Sequence, residues 1–334
     1  MFGSRTGKFK ISAMTKLFIL LGVLVPAWIS IGPVSVSAES PAGKNSAFPS
    51  FQVPPEPQAN YKAQVNMVNI VFTVTDSKGA FVNSLAEQDF EVFENGAPQS
   101  ILYFNNYSKG GEISITMALL VDTSGSVKDK LGLEIDTALE FLRNVLRPQK
   151  DLAMILQFSS EVELVQDFTD NLKLLEKGLS SLRGGGGTSL YDAIFLAVNE
   201  KLRHEAGRKV IVILSDGADN QSKVKKEEAL QASQRADVLI YGIGVRGAGY
   251  PADFGVLKQF ARDTGGRFFL AKVRLAELQQ AFREINQDLK NQYALAYSPT
   301  NTKMDGTFRR TEVKARRKGF NVKSRTGYFA PEEK

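Results

Sequence analysis

Met117-Ala-Leu-Leu-Val121 is an uninterrupted apolar run that stops on Asp122, with Ser124 and Ser126 following at alternate positions. A run this short and this apolar fits a strand buried on both faces of a parallel sheet, delivering an oxygen-rich loop at its carboxyl end. Open α/β sheets bind ligands in the crevice beyond those ends. Two later stretches are aimed at the same place. Gly184-Gly-Gly-Gly-Thr188-Ser189 is a flexible loop with a hydroxyl at its end, just ahead of an amphipathic segment. Val210-Ile-Val-Ile-Leu-Ser-Asp216-Gly217 reads as a second buried strand, again ending in Asp and Gly. Together they offer Asp122, Ser124, Ser126, Thr188 and Asp216, with no His or Cys among them.

Two carboxylates and three hydroxyls suit a hard divalent cation, magnesium or manganese, rather than zinc or copper. The acids would neutralise the ion and the hydroxyls would be uncharged ligands, leaving room for one anionic oxygen from a partner's Glu or Asp. Asp-x-Ser-x-Ser alone is weak evidence, because Asp and Ser are common in turns and helix caps. Five such residues in order, each at the end of an expected element, are specific. From about Ile113 to Leu289 the sequence resembles the von Willebrand factor A family, whose metal-ion-dependent adhesion site falls on Asp122, Ser124, Ser126, Thr188 and Asp216. The resemblance implies a doubly wound, mostly parallel α/β sheet with one antiparallel edge strand. It also implies magnesium as cofactor, with manganese or calcium as alternatives, and a non-enzymatic adhesion or assembly module. The partner would offer an acidic protein residue or an acidic glycan. A last implication is a final helix that can slide along the sheet; here it carries Leu275, Leu278, Phe282, Ile285 and Leu289 as one apolar stripe.

The α/β pattern predicts strands at 114–121, 151–158, 162–167, 209–215, 238–245 and 267–270. Helices are expected near 130–146, 171–181, 189–204, 223–235, 252–263 and 274–290. The short turn between 158 and 162 makes that strand pair antiparallel. Residues 112–290 are thus read as the α/β domain, flanked by β-rich segments at 61–108 and 291–334. Each flank is too short for a good core, and the two are expected to pair as one sandwich carrying the α/β domain as an insertion. The pattern from Asp89-Phe90 through Glu94-Asn95-Gly96-Ala97-Pro98-Gln99 to Ile101 and Phe104 resembles the leader segment of exported bacterial proteins related to this family.

Residues 1–38 read as an export signal: Arg5, Lys8, Lys10 and Lys16 precede Leu17–Val25, and Val36-Ser37-Ala38 forms a small-residue site. An uncleaved membrane anchor is the alternative. Periplasm, cell surface or secretion is the expected location. Residues 39–60 hold five prolines and form a solvated linker. The net charge of +6 misleads, since removing the four leader cations leaves 38 basic against 36 acidic residues. Nothing there calls for nucleic acid. Between Lys303 and Arg325, however, nine basic residues face two acidic ones. That segment is either a solvated strand face that resists aggregation or a contact for an anionic envelope surface. With no cysteine, neither disulfides nor thiolate metal sites exist.

Catalysis finds little support. His204 is the only histidine and falls near the end of a polar segment. No Gly-x-Ser-x-Gly surrounds Ser124, and the Gly184–Thr188 loop lacks the Lys of a phosphate-binding P-loop. A magnesium-dependent hydrolase using the same ion, and a purely structural envelope module, stand as the competing readings.

Overall fold

The computed structural model describes residues 10–11, 67–110, 113–127, 131–245, 254–271 and 275–333. The leader and linker readings therefore lie outside the described residues, except for Lys10–Ile11 (β1), which pairs in parallel with Glu163–Leu164. Among the described residues no helix is long and apolar enough to cross a membrane.

The central sheet contains β6 (Ile115–Asp122), β7 (Leu152–Phe158), β8 (Val162–Thr169), β9 (Arg208–Ser215), β10 (Val238–Val245) and β11 (Phe268–Ala271). Its order is β1-β8-β7-β6-β9-β10-β11, with β7–β8 antiparallel and every other pair parallel. The helices α1 (Leu131–Val145), α2 (Leu172–Ser180), α3 (Leu190–Leu196), α4 (Lys226–Arg235), α5 (Phe254–Thr264) and α6 (Leu275–Lys290) cover both faces. Alternation along β6 divides the core. Met117, Leu119 and Val121 pack with α1, α2 and α6, while Ala118 and Leu120 pack with α3, α4 and α5. The expected mostly parallel α/β fold is what forms. The long helix expected over 189–204 is instead α3 followed by a π turn at 197–201 and a 3₁₀ turn at 202–204. In α6 the stripe holds except at Leu275, which is exposed.

The flanking segments interleave. One four-stranded sheet runs β14 (Phe320–Ser324), β2 (Val68–Asp76), β12 (Gln292–Tyr297), β5 (Ile101–Asn106). The other runs β15 (Gly327–Phe329), β13 (Phe308–Ala315), β3 (Phe90–Glu94), β4 (Ala97–Gln99). Ile70, Phe72, Phe90, Val92, Tyr293, Leu295, Val313 and Tyr328 share one core, with Phe72 stacked on Tyr293 at 5.4 Å. β12 is buried on both faces. Its tyrosines and Leu295 enter the sandwich core, and small Ala294 faces the α/β unit across a cavity of about 500 Å³. The α/β unit thus leaves the sandwich after β5 and returns into β12, where Tyr293 pairs with Asn106.

The basic tail segment is less basic at its surface than its composition suggests. Arg309 turns inward, Arg325 is buried against Asp237, Arg316 pairs with Glu91 and Lys314 with Glu312.

Candidate metal centre

Strand order reverses at β6: the chain first builds toward β7 and β8, then crosses to β9 and β10 on the other side. The carboxyl ends of β6 and β9 are neighbours there, in the register Val121 with Leu214. Asp122 and Ser215 consequently end the two strands side by side. The Ser215 hydroxyl donates to Asp122 Oδ2 at 2.6 Å, and the Ser124 amide donates to Oδ1 at 2.9 Å. Ser124 Oγ lies 3.1 Å from Ser126 Oγ, and Ser126 Oγ donates to Asp216 Oδ2 at 2.7 Å. Four of the five expected residues therefore form one hydrogen-bonded chain, Asp122–Ser124–Ser126–Asp216.

Thr188 lies on a loop that its neighbours Gly185 and Gly186 tie to the loop bearing Ser124 and Ser126. The Gly125 amide donates to Gly186 O at 3.0 Å and the Gly185 amide to Thr123 O at 2.6 Å, zipping the two loops together. The Thr188 amide donates to Asn220 Oδ1, and its carbonyl accepts from the Asn220 and Gln221 amides. A Cβ at 187 would lie 2.6 Å from Gln221 Cγ and 2.7 Å from Asn220 Oδ1, so a larger residue there would have to displace those side chains. Gly217 supplies a left-handed turn beside Asp216, whereas Gly125 has neither a positive φ nor a close neighbour demanding glycine. Thr188 does not cap the following helix. α3 starts at Leu190, and its first amides are satisfied by Asp219 Oδ2 and Ser222 Oγ. Ser189 donates to Ser160 O instead. His204, as expected, is exposed.

The donor set fits a hard divalent cation. Asp122 is fully buried, and burial, with Asp216 adding to it, pushes its carboxyl up to about 6 against the hydrogen bonds from Ser124 and Ser215. A buried carboxylate raised this way lacks positive charge, which a cation supplies. Among the described residues no three His, Cys, Asp or Glu side chains converge tightly enough to hold an ion alone. An ion there would need hydroxyl ligands as well, and those of Ser124 and Ser126 are hydrogen-bonded into the cluster. Three residues that bear on the site escaped the sequence reading. Ser215 and Asn220 fix Asp122 and Thr188, and their positions beside Asp216 were the available hint. Glu134 of α1 is the third: it is 2% exposed, and among the described residues neither carboxyl oxygen has a hydrogen-bond partner.

The sequence profile of the von Willebrand factor type A domain matches residues 117–284. Over 200 residues the chain is 25% identical to inter alpha-trypsin inhibitor heavy chain 4 of Mus musculus, covering 55% of this chain and 21% of that protein. Over 135 residues it is 30% identical to the magnesium-chelatase 60 kDa subunit of Cereibacter sphaeroides, covering 40% of this chain and 24% of that one. The chain spans less than half the length of these curated relatives. Among solved structures, the von Willebrand factor type A protein from Catenulispora acidiphila is 12% identical, with a TM-score of 0.47, covering 79% of this chain and 74% of that one. The family profile spans half of the chain, and this protein belongs to the von Willebrand factor type A domain family.

Proposed function

We propose that the protein is a divalent-cation-dependent binding module that captures an acidic group of a partner, a protein carboxylate or an acidic glycan. Asp122, Ser124, Ser126, Thr188 and Asp216 hold the ion, magnesium first, with manganese or calcium as alternatives. The ion supplies an electrophilic point for the partner's oxygen; the chain supplies its placement. The observation that supports this reading is the continuous hydrogen-bonded chain from Asp122 through Ser124 and Ser126 to Asp216 at the strand-order reversal, where open α/β sheets take their ligands. Ser126 is its partly exposed member, so the cluster opens toward solvent on that side. Adhesion or assembly at the cell envelope follows from the leader resemblance and belongs to the same proposal.

The test compares wild type with Asp122→Ala. Magnesium should raise the wild-type melting temperature, chelator should reverse this, and the variant should keep its fold while losing the shift. Capture of an immobilised acidic ligand, a carboxylate-bearing peptide or an acidic polysaccharide, should follow the same pattern, with no metal-dependent turnover of ester or phosphate substrates. Metal-dependent turnover lost in the variant would favour the hydrolase reading. A metal shift without any capture would favour a structural one.

A further inference from the structure

The buried face of α1 runs Leu131, Glu134, Thr137, Ala138, Phe141, Leu142 and Val145. Glu134 thus occupies a core position on a stripe that otherwise packs with Met117, Leu119 and Val121 of β6. Leu131 and Ala138, one turn on either side of it, both belong to that core. On that stripe the side chain is turned into the core shared with β6, and the negative charges of Asp122 and Asp216 both act on it. An amphipathic helix has no structural use for an acid there. Burying a carboxyl without a donor is costly, and native interiors rarely leave both of its oxygens unpartnered. Glu94, Asp151 and Asp288, the other buried acids among the described residues outside the five-residue set, each have donors within hydrogen-bond reach.

Glu134 does not converge with Asp122 and Asp216 into a group of three acids able to grip one ion together. It can then bear on such an ion only through an intervening group, and water is the natural one. We propose that Glu134 is a positioning residue of the metal centre: its carboxylate accepts hydrogen bonds from water hydrating the ion that Asp122 and Asp216 hold. This rests on the binding reading above and deepens it. The hydrated cation supplies the donors that the described residues do not, and Glu134 supplies a third negative charge that strengthens cation binding. Residues that orient a metal's surroundings in this way commonly change its affinity ten- to a hundredfold when removed. The same geometry penalises the metal-free state, in which three acids crowd one buried region. One side chain thus acts in opposite directions on the empty and the loaded protein.

Opposite signs make the role testable. Glu134→Gln keeps the volume and removes the charge, and Glu134→Leu serves if the amide disturbs folding. Magnesium and manganese dissociation constants come from calorimetry, and melting temperatures are read in chelator and in saturating magnesium. Glu134→Gln should melt higher than wild type in chelator and bind either ion about ten- to a hundredfold more weakly. Manganese-dependent water-proton relaxation, which reports the hydration of the ion, should also change. A variant that binds magnesium like wild type, or that melts lower in chelator, overturns the role of Glu134 and leaves the binding reading standing. A wild type that binds neither ion overturns both.

Discussion

Two buried glutamates teach what this fold does with internal charge. Glu94, at the end of β3 in the sandwich, accepts from the Tyr328 hydroxyl at 2.7 Å and the Tyr297 hydroxyl at 2.9 Å, and lies 3.5 Å from Arg309. Burial, then the charge and acceptor oxygens of Glu94, push both phenols up. Glu134, in the α/β unit, has no such company among the described residues, and burial, with Asp122 and Asp216 adding to it, pushes its carboxyl up to about 8. The first acid is met by two phenols and a cation, the second by no donor among the described residues. An acid supplied with donors serves the fold; one left without them is available to an incoming group.

That contrast can be broken from either side. The largest effect expected is from Glu94→Ala, which strands Arg309 at 2% exposure and leaves two phenols without their acceptor. Breaking such a pair costs about 3–5 kcal/mol, and urea denaturation should show it with or without magnesium. A change in the magnesium constant as well would mean that the two networks are coupled.

Next comes pH, acting on the metal-free protein. The folded Glu134 holds its proton to about 8 whereas the unfolded chain releases it near 4.5, so the folded state binds more protons between those values. Its contribution is complete below pH 4.5 and is lost as pH rises to 8, at a slope of up to about 1.4 kcal/mol per pH unit. Unfolding free energies measured in chelator should fall across that window in wild type, and Glu134→Gln should flatten the fall.

Asp122→Ala follows. At magnesium near a hundred times its dissociation constant the ion stabilises wild type by about 2.7 kcal/mol, and the variant should lose all of it in paired chelator and magnesium melts. The smallest effect is that of Tyr328→Phe, which removes one donor from Glu94 and should cost about 1 kcal/mol in urea, with no change in metal binding.

Asp122 and Asp216 were legible in the sequence because each closes a short apolar run, Asp122 directly and Asp216 after Ser215, and a charge there has few innocent explanations. Glu134 was not. On α1 it stands among Asp136 and Glu140, and its spacing from them fits a solvated face as readily as the buried stripe. Only packing decides which acid goes inside. The strands of the α/β unit were readable to within two residues because strands buried on both faces show as short, nearly unbroken apolar runs. The backbone change to π and 3₁₀ turns after Leu196 has no comparable signature, since Ala197–His204 keeps its helical periodicity. The basic tail misled for a different reason. Residues 309, 311, 313 and 315 share one face of β13, so Arg309 points inward with Val313, and a tally of cations ignores that parity.

The pairing of Tyr293 with Asn106 has a mechanical consequence. The two stems of the α/β unit, β5 and β12, leave the sandwich side by side, so a pull on the metal-bearing face draws both the same way. Their bonds to each other carry little of that load. It passes to the antiparallel pairing of β12 with β2, six residues from Gln292 opposite Thr73 to Tyr297 opposite Val68. Val68 lies at the far end of that pairing, so tension between the chain before β2 and the metal face slides the two strands past each other along their length. The hydrogen bonds run across the strands and stretch together rather than opening one by one. A hold arranged in this way resists force better than a zipper of the same six pairs.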